Sequence, residues 1–349
     1  MRRVAGLPLL MLALFMLAGC ATDEPVVVSR EALGTVVTIT AYGDDGQAVG
    51  AAVEDAYAAM AAVEGQLDSH DPASALSRFN DAPYTEQVLP PDAVEVLGAI
   101  DALGASSHFS PVLSAVTRQY DFEGGGTVPD EEDLYLALVA GNGFRRTTTE
   151  TAIFARVKDP DPRLAPGGAL APALDLGGAS KGLALDRARE ALRSSGAVTA
   201  ALISSTSSTV TLGTKPDGRV WRVGVEDPRD TERVLAVFAF EGDGALSTSG
   251  DYQRYFEADG VRYHHILDPA TGLPARGFRS VTVGGAGMSG LDADILSTAL
   301  FVAGRDAAIR YAEDRGVALY AVDAGGRAHL VPAPERSGAS VAEQATPLR

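Results

Sequence analysis

Between Val198 and Ile266, five short strand-like runs follow one another with only turns between them: Val198–Ile203, Thr209–Leu212, Trp221–Val225, Val234–Phe240 and Val261–Ile266. Their alternation and β-branched content predict strands. Leu33–Tyr42 and Val281–Val283 read the same way. Helical spacing covers 48–67 and 91–105, begins again near Ser180, and returns from about Asp292. Ser69–Asn80 reads as a turn and a short helix, and 158–172 as a loop rich in Pro and Gly. Strands and helices mix without the βαβ rhythm of a doubly wound sheet, so the expected class is α+β. One large mixed α/β domain over 31–330 follows. Residues 331–349, rich in Pro, Ser and Ala, are expected to form a disordered tail.

The first residues carry an address. Arg2 and Arg3 precede an apolar run from Val4 to Leu17, which ends in Leu17-Ala-Gly-Cys20. A basic start, a short apolar stretch and small residues mark a secretory signal over 1–19. The run is short of the roughly 20 apolar residues of a membrane span. Leu-Ala-Gly-Cys resembles the bacterial lipobox, in which the cysteine becomes the lipidated first residue. The expectation is a lipid anchor at Cys20, a polar tether over 20–30, and a place in the cell envelope at the periplasmic face of the inner or outer membrane. Cys20 is the sole cysteine, so no disulfide framework holds the exported domain.

A formal charge of −17 argues against nucleic acid, whose backbone needs clustered Lys and Arg. Lysine occurs only at Lys158, Lys181 and Lys215. One of these stands in Asp175-Leu-Gly-Gly-Ala-Ser-Lys181, where an apolar run passes through Gly177-Gly178 into a helix. Backbone N–H groups at such a start can receive a phosphate, although no Walker sequence is present.

Asp294 and Thr298, spaced i and i+4, share one helix face. A hard cation such as Mg²⁺ takes one or two protein oxygens and completes its shell with water and phosphate. Asp292 competes as the acid and is equally suited to an N-cap. Asp294 reads as a surface helix acid, so Asp294→Ala should abolish activity and leave the fold intact. His264 and His265 sit in a strand-like stretch, so their rings should point to opposite faces and only one can face a site. With five histidines and no cysteine cluster, zinc is not expected.

Taken in order, Leu33-Gly-Thr35, Asp71–Asn80, Asp175–Gly182, Thr248-Ser-Gly-Asp251, His265–Gly272 and Asp294–Thr298 resemble the FAD:protein FMN transferase family, the ApbE-like flavin-trafficking lipoproteins. The resemblance spans about residues 30–330. It implies binding of FAD and Mg²⁺ and transfer of FMN to a Thr or Ser of an acceptor protein, with AMP released. Some relatives instead hydrolyse FAD to FMN and AMP.

The resemblance assigns metal ligation to Asp294, Thr298 and the Gly178 carbonyl. It assigns FAD contacts to Asp175, Lys181, Leu33, His70, Leu267, Ser297 and the segment His108, Phe109 and Ser110. His265 becomes the general base, with a pKa that local charges could set near neutral. Three departures stand out. Ser204–Ser208 lacks the glycines usual in the family at that place, Phe109-Ser110-Pro111 replaces Phe-Asp-Pro, and His70 replaces an aromatic. The competing readings are an FAD pyrophosphatase and a non-enzymatic flavin-binding lipoprotein.

Overall fold

The computed structural model describes residues 24–122, 124–155, 161–334 and 338–343. Eight strands form the central sheet in the order in which the chain supplies them: β1 (Val26–Ala32), β2 (Thr35–Tyr42), β3 (Ala200–Ser204), β4 (Ser208–Leu212), β5 (Gly244–Gly250), β6 (Phe278–Ala286), β7 (Ala318–Asp323) and β8 (Ala328–Val331). Every pairing is antiparallel. One face carries three long helices, α1 (Gly46–Leu67), α2 (Gly177–Ser194) and α3 (Gly290–Ala303). Helix α2 packs between α1 and α3, and α3 lies on β5 and β6.

Side-chain alternation decides the layers. On β7, Leu319 and Ala321 join the helix-side core with Val281, Val283, Leu183 and Ile295. The intervening Ala318, Tyr320 and Val322 turn to the other face and meet Trp221, Phe238 and Phe240. Those three belong to a smaller sheet of Trp221–Asp227, Asp230–Phe240 and Ala339–Glu343. Helices, central sheet and small sheet therefore make three layers. A third cluster joins the helices Ser114–Tyr120 and Glu131–Gly141 to Leu164, Leu170 and Leu267. The class is α+β, as expected.

Several boundaries differ from the sequence expectations. Leu33–Tyr42 is not one strand, because Leu33 and Gly34 both take positive φ and form a two-residue hairpin turn between β1 and β2. Strand β1 thus takes up 26–30, the later part of the stretch read as tether. It is an edge strand with a largely exposed pattern, so it lacks a strong apolar signal. At the far end, Ala339–Glu343 is a strand rather than disordered tail, since Val341 pairs with Phe238 and buries its side chain in the second core. Strands β5, β7 and β8 and the helix Arg305–Arg315 had not been expected. Among the described residues no helix is long and apolar enough to cross a membrane. The signal segment, Cys20 and the last six residues lie outside the described residues.

Candidate active site

A cleft of about 730 Å³ opens where the β1–β2 turn, the start of α2, α3 and the segment Gln253–Leu267 converge. Leu33 forms one lip. Its φ of 57° is unusual for a residue with a Cβ and costs roughly 1–2 kcal/mol. Its N–H donates to Glu64 Oε1 at 2.8 Å, which pins the turn to α1. His70 lies at the rim, largely exposed, with Nδ1 3.4 Å from Asp68 Oδ1. His108, Phe109 and Ser110 also line the cleft. Phe109 is buried, and a Cβ on Gly178 would come within 3.2 Å of its ring. Glycine at 178 therefore lets the first turn of α2 approach that ring closely.

At the head of α2, Asp175 Oδ1 accepts the Gly177 N–H at 2.9 Å, and the Asp175 N–H donates to the Pro111 carbonyl at 2.8 Å. Lys181 Nζ lies 3.4 Å from the Gly177 carbonyl. The cleft at this point offers a helix start and a lysine, an environment suited to phosphate.

Helices α2 and α3 cross at two glycines. A Cβ on Gly182 would collide with the Gly290 carbonyl oxygen and sit 2.8 Å from Asp294 Cβ, and one on Gly290 would sit 2.5 Å from the Gly182 carbonyl oxygen. This closeness lets the Gly182 N–H reach Asp294 Oδ2 at 2.9 Å. Asp294 Oδ1 accepts from Ser247 Oγ at 3.0 Å and from Ser208 Oγ at 3.3 Å. The expectation of a surface acid was wrong: Asp294 is 4% exposed. Asp292 is not the N-cap either, because Ser289 Oγ accepts the Asp292 N–H at 2.9 Å. From α2, Asp186 adds a second brace to the start of α3, accepting the N–H groups of Gly290 and Leu291 at 2.8 and 2.9 Å. Sequence reasoning missed Asp186, Ser208, Ser247 and both crossing glycines.

These residues fit a divalent cation. The donors around Asp294 are one amide and two hydroxyls, all neutral, and among the described residues no ion pair offsets its charge. A buried carboxylate without a countercharge is costly unless a cation completes it. Thr298, one turn on, also lines the cleft, its hydroxyl 2.9 Å from Ser249 Oγ. Asp294, Thr298 and the Gly178 carbonyl would supply hard oxygen ligands of the kind Mg²⁺ takes. Ser297 departs from its assignment. It is fully buried beneath the cleft, with Oγ bonded to the Asp294 carbonyl at 3.0 Å and to Ser249 Oγ at 2.9 Å.

The histidine pair splits as alternation requires. His264 is 3% exposed, its Nε2 2.9 Å from the Ala275 carbonyl and its ring edge-on to Phe301. Burial lowers its pKa from 6.5 to about 4. His265 lines the cleft, and both its N–H and its Nδ1 lie 3.2 Å from the Arg254 carbonyl. A carbonyl only accepts, so Nδ1 carries the proton and Nε2 the lone pair. Enclosure, followed by the Arg254 charge, lowers the His265 pKa to about 3 rather than placing it near neutral. Arg254 and Gln253 line the cleft as well, although the sequence reading singled out neither. Leu267 closes the floor, bridged to Pro274 across a turn at Gly272, whose carbonyl accepts from the Tyr120 hydroxyl at 2.8 Å.

With this geometry in place, comparison with known proteins gives a consistent result. The ApbE family profile matches residues 33–321. An FAD:protein FMN transferase of Treponema pallidum is 31% identical over 286 residues, 78% of this chain and 77% of that protein. Another, from Rhodobacter capsulatus, is 35% identical over 212 residues, which are 60% of this chain but only 38% of that longer protein. Among solved structures, the ApbE protein of Thermotoga maritima superposes with a TM-score of 0.74 at 28% identity, covering 88% of this chain and 97% of its own. The apo form of the Pseudomonas stutzeri flavinyl transferase ApbE gives 0.68 at 27% identity, covering 92% and 94%. Fold, cleft and sequence agree, and the chain belongs to the ApbE family.

Proposed function

We propose that this protein transfers FMN from FAD to a Thr or Ser hydroxyl of an acceptor protein in a Mg²⁺-dependent reaction. The observation that carries the reading is the convergence of Asp294, Thr298, Lys181 and His265 on one cleft. Lys181 and the start of α2 would hold the pyrophosphate, while Leu33, His70 and Phe109 shape the walls for the flavin. Bound at Asp294, Thr298 and the Gly178 carbonyl, Mg²⁺ would supply Lewis-acid neutralisation of pyrophosphate charge.

The acceptor oxygen forms a bond to the FMN-side phosphorus, the bond from that phosphorus to the bridging oxygen breaks, and AMP leaves with that oxygen. The acceptor's proton goes to His265 Nε2, the lone-pair nitrogen. A ring with a pKa near 3 is a weak acceptor in the free protein. Entry of an anionic pyrophosphate beside it works in the opposite direction, because nearby negative charge raises an imidazole pKa. The proton affinity therefore rises when substrate is present.

The reading includes export and lipidation at Cys20, supported by Leu17-Ala-Gly-Cys20 after the short apolar run.

The test is incubation of the purified protein with FAD, Mg²⁺ and an acceptor protein, read as in-gel flavin fluorescence and AMP release. Fluorescent acceptor with AMP supports transfer. AMP and free FMN without labelled acceptor would make the protein an FAD pyrophosphatase, with water in place of the hydroxyl. Flavin binding with no AMP would leave a flavin-binding lipoprotein.

A further inference from the structure

We propose that Ser208 and Ser247 are positioning residues for Asp294, a hydroxyl clamp that holds its carboxylate in the orientation a divalent cation requires. The inference rests on the metal reading of the cleft. Ser247 Oγ lies 3.0 Å from Asp294 Oδ1, Ser208 Oγ lies 3.3 Å from the same oxygen, and the two hydroxyls are 2.9 Å apart. Both serines are almost wholly buried. They face each other across the pairing of β4 with β5, where Ser247 is the register partner of Ser208.

Hydrogen bonds from two sides hold the carboxylate. Oδ2 is taken by the Gly182 amide from α2, and Oδ1 by the two hydroxyls from the sheet. With one oxygen tied to each side, rotation about the carboxylate bond is blocked. Ser247 Oγ also lies 3.5 Å from Ser297 Oγ, and Ser297 and Thr298 both meet Ser249 Oγ at 2.9 Å. The clamp is thus continuous with the hydroxyl beside the second side-chain ligand, and Ser247 and Ser249 reach α3 from the same face of β5. Ser208 belongs to the stretch that looked like a loss of family glycines. In the folded protein, its hydroxyl serves the carboxylate. Groups that orient a metal ligand without touching the metal typically set affinity by about 10–100-fold.

The experiment titrates Mn²⁺ into the full-length protein in detergent by electron paramagnetic resonance, with no FAD present, alongside circular dichroism melts. Ser208→Ala and Ser247→Ala should each bind Mn²⁺ more weakly, by about 10-fold or more for Ser247, with secondary structure unchanged. Ser247→Thr, which keeps the hydroxyl, should recover most of the affinity. Alanine variants that melt lower yet bind Mn²⁺ like wild type would overturn the proposal, since the hydroxyls would then serve packing alone. So would equal loss in Ser247→Thr and Ser247→Ala. If one alanine variant fails to fold, the other decides the matter. Failure of the metal reading has its own signature: wild type and Asp294→Asn would then bind Mn²⁺ equally poorly, and that too overturns the proposal.

Discussion

Gly182 gives its backbone N–H to Asp294 Oδ2 at 2.9 Å, across a helix crossing that leaves no space for a side chain at 182. The distance between α2 and α3 and the placement of the buried acid are thus one arrangement. A change at this glycine should therefore be felt at Asp294 as well as at the crossing itself.

Gly182→Ala is expected to destabilise the protein by about 1–3 kcal/mol, the usual cost of forcing extra carbon into a packed interior. It should also remove FMN transfer. Gly98→Ala is the control, on an exposed face of the helix Pro91–Ala102 with open space around it. That variant should be neutral or gain about 0.5–1 kcal/mol. Urea unfolding followed by circular dichroism separates them, and equal stabilities would refute the crossing argument.

Asp294→Asn keeps the shape of the side chain and removes the charge. It should fold, lose activity and lose Mg²⁺ protection against thermal unfolding. Asp294→Ala should in addition lose about 1–3 kcal/mol of stability, because it strands the hydroxyl and amide donors that the carboxylate now accepts. Activity of wild type in excess EDTA is expected to be absent. Full activity under EDTA, or in Asp294→Asn, would rule out the metal assignment.

His265→Ala should retain FAD binding and lose about 10²–10⁴-fold in rate, the range for loss of a general base. His264→Ala should instead unfold more easily, since its ring is buried against Phe301 and bonded to the Ala275 carbonyl. Fluorescence titration of FAD and single-turnover AMP release distinguish the two. Loss of FAD binding in His265→Ala would make that residue a ligand contact.

Stability should fall as pH drops below about 6.5. In the unfolded chain His264 takes up a proton near its ordinary pKa, whereas in the folded protein burial holds it at about 4. The unfolded state therefore binds more protons between these values, and stability rises with pH there, by up to about 1.4 kcal/mol per unit from this group. His264→Gln should make the decline in melting temperature between pH 6.5 and pH 4.5 shallower, the remainder coming from His265, whose pKa is lowered in the same direction. An unchanged slope would show that other groups govern it.

Cys20→Ser should block processing or release the protein from the membrane fraction. Unchanged membrane retention with an unaltered cleavage pattern would remove the lipid anchor from the proposed function.

The sequence by itself determined the strands rich in β-branched residues, the long helix over most of Gly46–Leu67, the α+β class, and the alternation that sends the rings of His264 and His265 to opposite faces. It also brought forward Asp175, Lys181, Asp294 and Thr298, because spacing on one helix face and a glycine turn before a helix are local features. Tertiary structure decided the rest. Strand β5 is built of small residues, Gly-Ala-Leu-Ser-Thr-Ser-Gly, and shows little apolar period because α3 lies directly on it. Val341 finds its strand partner Phe238 about a hundred residues away, which no local pattern reveals. Ser208, Ser247, Gly182 and Gly290 carry no chemical signature along the chain, and they matter only where two helices and a sheet approach within hydrogen-bond distance. The burial of Asp294 and the depressed His265 pKa arise from that same enclosure, so a linear reading could name the groups but not the charge environment that defines their chemistry.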